Sequence, residues 1–552
     1  MKKKWWKEAV GYQIYPRSFK DSNNDGIGDL NGIREKLPYL KKLGIDFIWL
    51  NPVYQSPNVD NGYDISDYQA IMADFGTMAD FDLLLAEAHK LGIKLIMDLV
   101  VNHSSDQHEW FKESKASKDN PYRDYYIWKD GIQGEPPSDW QAIFGGSVWE
   151  YDEKTEQYYF HAFAKEQPDF NWENEQLKER LFSMIRWWLD KGIDGFRVDA
   201  ISHIRKDAHH LPALLENVPG RYQNIPGIEH YLEELKQVFE EYDIMTVGEA
   251  SGVKAVEAEQ WAGDDGYFNM IFEFEHIGLW KQEQEKNFDI KAFKKALSNW
   301  QYALDGKGWN ALYMENHDVP RSVSVFGNDS EEYREISAKA LAMMYFFLQG
   351  TPFIYQGQEL GMTNMPFESI EEINTLDSKQ LYRELQDAGK SEETALATVN
   401  AITRDNSRTP MQWSNDQYAG FSNTEPWLRM NPNKQTINVE AALADSDSVF
   451  YFYQKLIRLR KQHSALVYGS FEEILPEHEQ LYVYTRRNEE AVFLVLVNLS
   501  EQPASYQIPK HMKQLSEKAQ LVLSNYQAAQ DLPLTDTLAP FEARTYQIDM
   551  GN

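Results

Sequence analysis

The stretch Gly192-Ile193-Asp194-Gly195-Phe196-Arg197-Val198-Asp199-Ala200 decides the fold of this chain. Apolar residues recur at helical spacing from Leu177 to Trp188, which predicts an amphipathic helix that ends at Lys191-Gly192. Ile193, Phe196 and Val198 are typical of a buried parallel strand. Arg197 and Asp199 share one face of that strand, where burying a charge is costly unless it is paired. Such charges at the C-terminal end of a strand are typical of a barrel active site, although a structural salt bridge is the alternative.

Strand and helix patterns alternate on both sides of this stretch. Strands are predicted at 11–15, 45–50 and 93–101, and the helices between them at 32–43 and 81–91 are each followed by a glycine. The same alternation resumes after residue 172, with an apolar strand at 351–355 and a helix at 446–463. This pattern predicts an α/β fold with a parallel sheet and helical crossovers.

Two regions depart from the alternation. Residues 104–171 are rich in Trp, Tyr, Asp and Gly with short strand-like runs, which predicts a small inserted domain. Residues 475–552 contain strand patterns with no helices between them, which predicts a C-terminal antiparallel β-sandwich domain. The barrel then comprises residues 1–103 and 172–474, including a polar, helix-prone insertion at 369–400.

Composition restricts the function classes. The net charge of −31 disfavours nucleic acid and anionic membranes as partners, and the absence of cysteine excludes disulfides and a thiol nucleophile. The lysines at the N-terminus are followed at once by Trp5-Trp6, without the apolar segment of a signal peptide. No apolar run approaches the roughly 18 residues of a membrane helix. We therefore expect a cytoplasmic protein, a monomer or weak dimer, with a small molecule as its partner.

Acidic residues stand at the ends of four predicted strands. They are Asp98, Asp199, Glu249 and, in Glu315-Asn316-His317-Asp318, Asp318. Their spacings correspond to whole βα units, so a closed barrel brings them to one mouth. Glycoside cleavage needs one carboxylate that attacks the sugar and one carboxylic acid that protonates the leaving oxygen.

The sequence neighbours of these acids suggest how the roles divide. Arg197 is expected to lower the pKa of Asp199, and Glu249, with no cation near it in sequence, to keep a raised pKa as the acid. Asp318 is then expected to stabilise positive charge on the sugar ring. The competing chemistry is a metal hydrolase, but no two histidines stand at ligand spacing near the acids, and His209-His210 is assigned to a loop.

The four segments resemble the signature regions of the α-amylase family, glycoside hydrolase family 13. The matching segments are Asp98-Leu-Val-Val-Asn102-His103, Gly195-Phe-Arg197-Val-Asp199-Ala200, Val247-Gly-Glu249-Ala250 and Glu315-Asn-His317-Asp318. Gln167-Pro-Asp169-Phe-Asn171 resembles the marker of the oligo-1,6-glucosidase subfamily. The resemblance covers the whole chain and implies a (β/α)8 TIM barrel. It also implies Asp199 as nucleophile, Glu249 as general acid/base and Asp318 as transition-state stabiliser, with His103, Arg197 and His317 binding the sugar.

Further matches concern the substrate. Asp60-Asn61-Gly62-Tyr63-Asp64 resembles the exo-acting members, which implies that Asp60 and Arg404 grip the non-reducing end and that Tyr63 stacks under the sugar ring. A plain turn is the alternative for Asp60-Asn61-Gly62. In related enzymes a valine after the nucleophile accompanies α-1,6 linkages and a smaller residue α-1,4 linkages. Ala200 therefore favours an α-1,4-glucosidase acting on maltose and maltooligosaccharides, with oligo-1,6-glucosidase as the alternative.

Less favoured alternatives remain open. A trehalose-6-phosphate hydrolase needs a basic phosphate site and a sucrose isomerase an arginine-rich loop, and neither is found in the sequence. A non-catalytic interaction protein of the same fold is the alternative of another class, but such relatives carry a membrane helix and lack the acids. Several aromatic residues are candidate sugar platforms, among them Phe144, Phe163 and Trp413.

The segment 21–29 places oxygen-bearing residues at alternate positions around a glycine turn. Ca²⁺ prefers such hard oxygen ligands. The predicted ligands of a structural Ca²⁺ are Asp21, Asn23, Asp25, the Ile27 carbonyl and Asp29. Related subfamily members carry an ion in this loop, and a plain acidic turn is the alternative.

Overall fold

Eight parallel strands form the centre of the molecule. The computed structural model describes residues 3–206, 222–282, 288–513, 517–527 and 531–550. The central strands, in chain order, are β1 Gly11–Ile14, β2 Phe47–Leu50, β3 Lys94–Val100, β4 Gly195–Asp199, β5 Met245–Glu249, β6 Met270–Phe272, β7 Ala311–Leu312 and β8 Thr351–Tyr355. They are ordered β6-β5-β4-β3-β2-β1-β8-β7, and the end strands β6 and β7 lie against each other. The predicted (β/α)8 barrel is therefore confirmed.

The strand register places the predicted acids at one rim. Val100 at the end of β3 pairs with Asp199, and Val198 pairs with Gly248, so that Glu249 ends β5 at the same level as Asp199 ends β4. The strands β6 and β7 are the shortest of the barrel, with three and two residues. Residues 313–318 leave the sheet after two paired residues, and Asp318 lines the pocket at the mouth.

Capping residues fix the helices that surround the barrel. Asp29 accepts the Gly32 N–H at the start of Leu30–Leu43, and Gly44 ends that helix in the left-handed region at φ 104°. Thr77 and Asp80 form a capping box at the start of Met78–Lys90. The other helices of five or more residues are Glu109–Ala116, Glu175–Asp190, Glu229–Phe239, Ala258–Ala262, Ile290–Leu304, Arg334–Phe346, Leu376–Asp387, Glu392–Ile402, Val439–Ala444, Val449–Gln462 and Ser464–Tyr468. Of the helices described, none has the length and apolar character to cross a membrane.

The segment between β3 and β4 carries its own sheet and core. Its strands are Trp128–Lys129, Trp149–Asp152 and Gln157–Phe160, paired antiparallel with the last in the middle. Trp140, Trp149 and Phe160 form a small apolar cluster separate from the barrel core. A second antiparallel pair, Tyr54–Gln55 with Asp67–Ile71, follows β2 and frames the loop that contains Asp60.

The C-terminal region is an antiparallel sheet packed on the barrel. Its five strands are ordered Ser470–Glu473, Leu481–Arg487, Ala491–Asn498, Ala543–Asp549 and Gln520–Ser524, and a second pair joins Ala504–Gln507 to Thr535–Leu538. Antiparallel pairing thus begins at Ser470, upstream of the predicted position 475. The buried Arg486 donates to the Phe347 carbonyl at 2.7 Å and to the Gly469 carbonyl at 2.6 Å, which ties the sheet to the barrel.

Candidate active site

A cavity of about 410 Å³ opens at the C-terminal mouth of the barrel. Nine of the residues predicted for the site line it: Asp60, Tyr63, His103, Phe163, Asp199, Ala200, Glu249, Asp318 and Arg404. Arg197 and His317 are buried and do not line the cavity, but they contact the lining residues Asp199 and Asp318, respectively. The structure thus brings together residues from seven separate segments of the chain, as expected for a barrel mouth.

Arg197 is shared by three carboxylates. Its Nη1 lies 2.5 Å from Asp98 Oδ1 and 2.5 Å from Asp199 Oδ1, and its Nη2 lies 2.8 Å from Glu249 Oε1. Glu249 Oε2 also accepts the Ala200 N–H at 2.8 Å. Glu249 has no cation near it in sequence, and its cationic partner in the structure, Arg197, comes from the adjacent strand. Asp199 and Glu249 are held by the two ends of one guanidinium.

Burial is the main influence on the pKa values of Asp199 and Asp98. It raises the pKa of Asp199, Arg197 opposes the rise, and the Glu249 carboxylate adds to it. The predicted lowering of the pKa of Asp199 is therefore wrong for the free site, because one guanidinium serves three buried acids. Burial also raises the pKa of Asp98 to about 6, against Arg197 and a hydrogen bond from Trp49.

Asp318 has the opposite environment. Its Oδ1 lies 2.8 Å from Arg408 Nη2 and 3.2 Å from Arg404 Nη1, and its Oδ2 lies 3.0 Å from His317 Nε2. Burial acts to raise its pKa, but these neighbours hold the pKa well below its usual range. Burial lowers the pKa of His317 to about 4, so the charge on the neighbours near neutral pH is that of the two arginines. Asp318 is therefore held in its ionised form.

Arg408 was not among the predicted site residues. It is fully buried, and its Nε donates to the His317 carbonyl at 2.8 Å while its Nη2 donates to Asp318. Arg408 ends the short helix Asp405–Arg408 and stands four residues after Arg404. Residues at this spacing are neighbours on a helix surface, so the sequence could have indicated that Arg408 lies beside Arg404.

Arg404 closes one side of the cavity. Its Nη2 lies 3.0 Å from Asp377 Oδ1 and 3.6 Å from Asp60 Oδ1. Burial raises the pKa of Asp60 to about 6, against Arg404 and Arg408. Asp377 was missed by the sequence analysis. It stands in the first turn of Leu376–Asp387, within the region expected only to be a polar insertion.

Tyr63 and His103 also line the cavity. Tyr63 stacks on the His317 ring at a centroid distance of 5.3 Å and an angle of 9°, and its hydroxyl donates to Asp98 Oδ2 at 3.1 Å. Burial lowers the pKa of His103 to about 4, so its ring is neutral near pH 7. Gln167, from the Gln167–Asn171 segment, donates to Asp60 Oδ2 at 3.1 Å and lies 3.1 Å from His103 Nε2.

The candidate aromatic platforms separate into two groups. Phe163 lines the cavity 5.2 Å from the His103 ring, and Phe144 lies under the Arg404 guanidinium at 4.9 Å. Trp413 does not line the cavity. It packs edge-on against Phe19 at 5.1 Å, and its indole N–H donates to the Phe19 carbonyl, so it belongs to the core.

Ala200 has a left-handed backbone, with φ 44° and ψ 33°. Its methyl group lines the cavity beside Asp199. This conformation directs the Ala200 N–H to Glu249 and is unfavourable for β-branched residues.

The loop predicted to bind Ca²⁺ is closed by its own side chains. Asp21 Oδ1 accepts the N–H groups of Asn23 and Asn24, Asp21 Oδ2 accepts that of Gly26, and Asn23 Nδ2 donates to Asp25 Oδ2 at 3.0 Å. Asp21 Oδ2 also accepts the Ser422 hydroxyl, which fills the four acceptor sites of Asp21. The side-chain oxygens of Asn23 and Asp25 each accept one N–H and keep a lone pair, and oxygen donors of this kind suit Ca²⁺. Both oxygens of Asp29 are engaged by Ser22 and the helix start.

A metal centre with carboxylate and imidazole ligands is the competing kind of site. In the described residues, no three or more His, Cys, Asp or Glu side chains are grouped to hold a metal ion. His209 and His210 lie outside the described residues.

Asp199 and Glu249 contact one guanidinium at the mouth of a (β/α)8 barrel, and the ionised carboxylate of Asp318 lies in the same cavity. Such a site suits acid–base and nucleophilic chemistry on a small polar substrate. This combination is that of the carbohydrate-cleaving barrel enzymes.

The comparisons identify the family. Residues 13–469 match the family description "Alpha amylase, catalytic domain", and the chain belongs to the α-amylase family of glycoside hydrolases. It is 54% identical over 555 residues to the probable oligo-1,6-glucosidase 3 of Bacillus subtilis (strain 168), covering 99% of this chain and 100% of the relative. It is 48% identical to an α-glucosidase of Pediococcus pentosaceus, covering 99% of both chains. The crystal structure of a trehalose-6-phosphate hydrolase of Bacillus licheniformis superposes with a TM-score of 0.94 at 43% identity, covering 99% of both chains. The chain is therefore a glycoside hydrolase of oligosaccharides.

Proposed function

We propose that this protein is an exo-acting, retaining α-glucosidase that releases glucose from the non-reducing end of short α-glucosides. The observation that supports it most is the pair Asp199 and Glu249 on the two ends of Arg197, in a cavity that Arg404 closes. A retaining pair requires carboxyl groups about 5–5.5 Å apart, and contact with one guanidinium is compatible with that separation.

The proposed reaction has two steps. Asp199 attacks the anomeric carbon to form a glucosyl ester while Glu249 protonates the departing oxygen. Glu249 then takes a proton from water, whose oxygen displaces Asp199 and restores the α-configuration. Asp318, which His317, Arg404 and Arg408 keep ionised, stabilises the positive charge that develops on the ring.

The exo action follows from the contacts of Arg404. This side chain joins Asp60, Asp318 and Asp377, so charged groups from three segments meet across one end of the cavity. A polysaccharide cannot pass through such a wall, but the ring hydroxyls of a terminal glucose can hydrogen-bond to it.

For the linkage, we infer that α-1,6 bonds are cleaved, as the name of the 54%-identical relative suggests. The α-1,4 linkage is a second candidate, because Ala200 is a small residue directly after Asp199. Ala200 lines the cavity beside Asp199, and we expect its small side chain to leave the first leaving-group position wide. A relative named α-glucosidase is compatible with this candidate.

A trehalose-6-phosphate hydrolase is less well supported. Among the described residues that line the cavity, Arg404 is the only Lys or Arg, and three carboxylates already contact it. A phosphate group needs unneutralised cations or several N–H donors.

The experiment that tests the proposal compares kcat/KM for isomaltose, maltose and trehalose, before and after Ala200→Val. The ratio of the kcat/KM values for two substrates does not change when a substitution only lowers the fraction of folded enzyme. We expect Ala200→Val to shift the isomaltose-to-maltose ratio about tenfold towards isomaltose. An unchanged ratio would remove the argument from Ala200, and the absence of glucose from all three sugars would contradict the proposed function.

We also propose a structural Ca²⁺ in the loop 21–29, held by Asn23, Asp25 and the Ile27 carbonyl. Binding to the folded state alone raises stability by mass action. We expect chelation to lower Tm by several degrees in the native protein and by much less in Asp25→Asn. Equal changes in both proteins would contradict the site.

A further inference from the structure

The wall of the cavity beside Glu249 is formed by residues 273–280, which follow β6 and are called the wall segment below. β5 and β6 pair so that Glu249 stands beside Phe272, the last residue of β6. The residues of the wall segment that line the cavity are Phe274, Ile277, Gly278 and Trp280. The proposed function, on which this inference rests, places the leaving group on this side, because Glu249 protonates the departing oxygen.

Two buried polar side chains belong to the wall segment but do not line the cavity. They are Glu273 and His276. His276 Nδ1 contacts Glu273 Oε1, and His276 Nε2 lies 3.0 Å from the carbonyl oxygen of Tyr313. The other oxygen of Glu273 accepts the Glu275 N–H at 2.5 Å. The two side chains are thus bound to each other and to the backbone at two points.

The nature of the acceptors determines how this pair is hydrogen-bonded. A carbonyl oxygen only accepts, so we assign a proton to His276 Nε2, which donates it to the Tyr313 carbonyl. The contact between His276 Nδ1 and Glu273 then requires one further proton, which lies on the nitrogen or on the carboxyl group. In either case, the loss of one side chain leaves the other as a buried polar group without its partner.

Further contacts attach the wall segment to the loops on either side of it. The Tyr313 hydroxyl donates to the Glu273 carbonyl at 2.5 Å, and the Tyr313 ring lies edge-on to that of His276 at a centroid distance of 5.0 Å. Glu275 Oε2 accepts the Ala255 N–H at 3.3 Å. Tyr313 follows β7, and Ala255 belongs to the loop that follows β5. The pair therefore stands at the centre of the contacts that fix this wall.

We propose that Glu273 and His276 are positioning residues that set the specificity of the enzyme for its leaving group. Their contacts hold a turn in which the Gly278 N–H donates to the Phe274 carbonyl at 3.0 Å. This turn places Phe274 and Ile277 on the side of the cavity. A departing ring packs against these two side chains, whereas a leaving group of one atom is too small to contact them. Glu273 and His276 act only through the wall segment and do not contact the substrate.

The test compares kcat/KM for three substrates that carry the same glucosyl group. α-Glucosyl fluoride has a leaving group of one atom. p-Nitrophenyl α-glucoside has a ring that departs with little need of a proton, and the disaccharide, isomaltose or maltose, has a ring whose departure requires Glu249 as the acid. We expect Glu273→Leu and His276→Phe to lower kcat/KM for both ring-bearing substrates about tenfold relative to the fluoride. Phe274→Ala, which shortens the wall and keeps the pair, should lower the same two ratios.

Glu273→Gln tests whether the hydrogen bonds are the cause. The amide N–H of the new side chain can donate to His276 Nδ1, and its carbonyl oxygen can accept the Glu275 N–H, so both contacts survive without a charge. We expect the ratios in this variant to stay within about twofold of those of the native enzyme. Ratios as low as those of Glu273→Leu would contradict the hydrogen bonds as the cause.

Glu542→Leu is the matched control. Glu542, in the C-terminal region, is 4% exposed, against 5% for Glu273. One of its oxygens accepts from Arg544 Nε at 2.6 Å and the other accepts the Ala539 N–H at 2.8 Å, so it resembles Glu273 in having one side-chain and one backbone partner. We expect this variant to keep the native ratios although its Tm falls.

The outcomes separate the inference from the proposed function. Ratios unchanged in Glu273→Leu, His276→Phe and Phe274→Ala would overturn the inference and leave the proposed function intact. A loss for the disaccharide alone would also overturn it, because the effect would then concern proton transfer by Glu249 and not the wall. The absence of glucose from all three substrates with the native enzyme would contradict the proposed function itself.

Discussion

At the scale of single residues, the pKa of each buried acid depends on burial and on the arginines that contact it. Arg197 contacts three carboxylates, and burial raises the pKa of Asp98 to about 6. Asp318, by contrast, has two arginines, and its pKa is held low. The site thus contains one carboxylate that is held ionised, which suits a group that stabilises positive charge on a sugar ring.

The role of Arg408 gives the first prediction. We expect Arg408→Lys to keep Asp318 ionised but to lose the fork that also holds the His317 carbonyl, lowering kcat about tenfold to a hundredfold with little change in KM. Steady-state kinetics on isomaltose or maltose measure this. A large rise in KM at unchanged kcat would show that Arg408 acts on ground-state binding.

The pH dependence of stability gives a second readout of the same contact. The pKa of Asp318 is lower in the folded state than in the unfolded state, where it is near 3.8, so its ionisation stabilises the folded protein above that pH. This stabilisation is lost as the pH falls from the unfolded-state pKa through the folded-state pKa. In Arg408→Gln the pKa of Asp318 returns towards 3.8, so less stability remains to be lost. We expect the Tm difference from the native protein to narrow as pH falls from 6 to 3. A constant difference would contradict the contact as the cause.

At the scale of elements, the ends of the strands were predictable and the partners between elements were not. The apolar periodicity of Gly195–Asp199 and Met245–Glu249 placed Asp199 and Glu249 at strand ends. The contact between Arg197 and Glu249 depends on the pairing of β4 with β5, which no local pattern records. Asp377 was missed for a similar reason, because a polar helix carries no local sign of the cavity that its first turn reaches.

The helix Leu376–Asp387 gives the next prediction. Asp377 at its start binds Arg404, whereas Asp387 at its end is exposed and distant from the cavity. We expect Asp377→Asn to release Arg404 from one of its three acids and raise KM about tenfold. Asp387→Asn, with the same chemical change on the same helix, should leave KM unaltered. Equal kinetics for the two variants would show that the insertion does not position Arg404.

At the scale of the whole molecule, the C-terminal sheet is fixed to the barrel by a buried cation. Arg486 has lost nearly all exposure and donates to four backbone carbonyls, those of Phe347, Leu466, Val467 and Gly469. Burial lowers its pKa to about 10, so it remains charged at neutral pH. Sequence patterns predicted the sheet but not this attachment, because burial is a property of the assembled molecule.

This attachment gives the prediction at the largest scale. Arg486→Met leaves those carbonyls without their donor, and we expect a loss of about 3 kcal/mol in the free energy of unfolding. Arg487→Met, at the exposed neighbouring position, should change it by less than about 0.5 kcal/mol. Thermal or urea unfolding measures both. Similar stabilities would contradict the role of Arg486 in joining the two regions.

The central claim is that Asp199 forms the covalent bond to the sugar and that Glu249 transfers the proton. It is tested most directly in Glu249→Gln with α-glucosyl fluoride, since fluoride departs without an acid but the ester then lacks its base. The expected result is a protein heavier by one glucosyl unit, with the sugar mapped by mass spectrometry to the peptide containing Asp199. Fluoride release with the sugar on another carboxylate, or with no glucosyl-protein formed, would contradict the account.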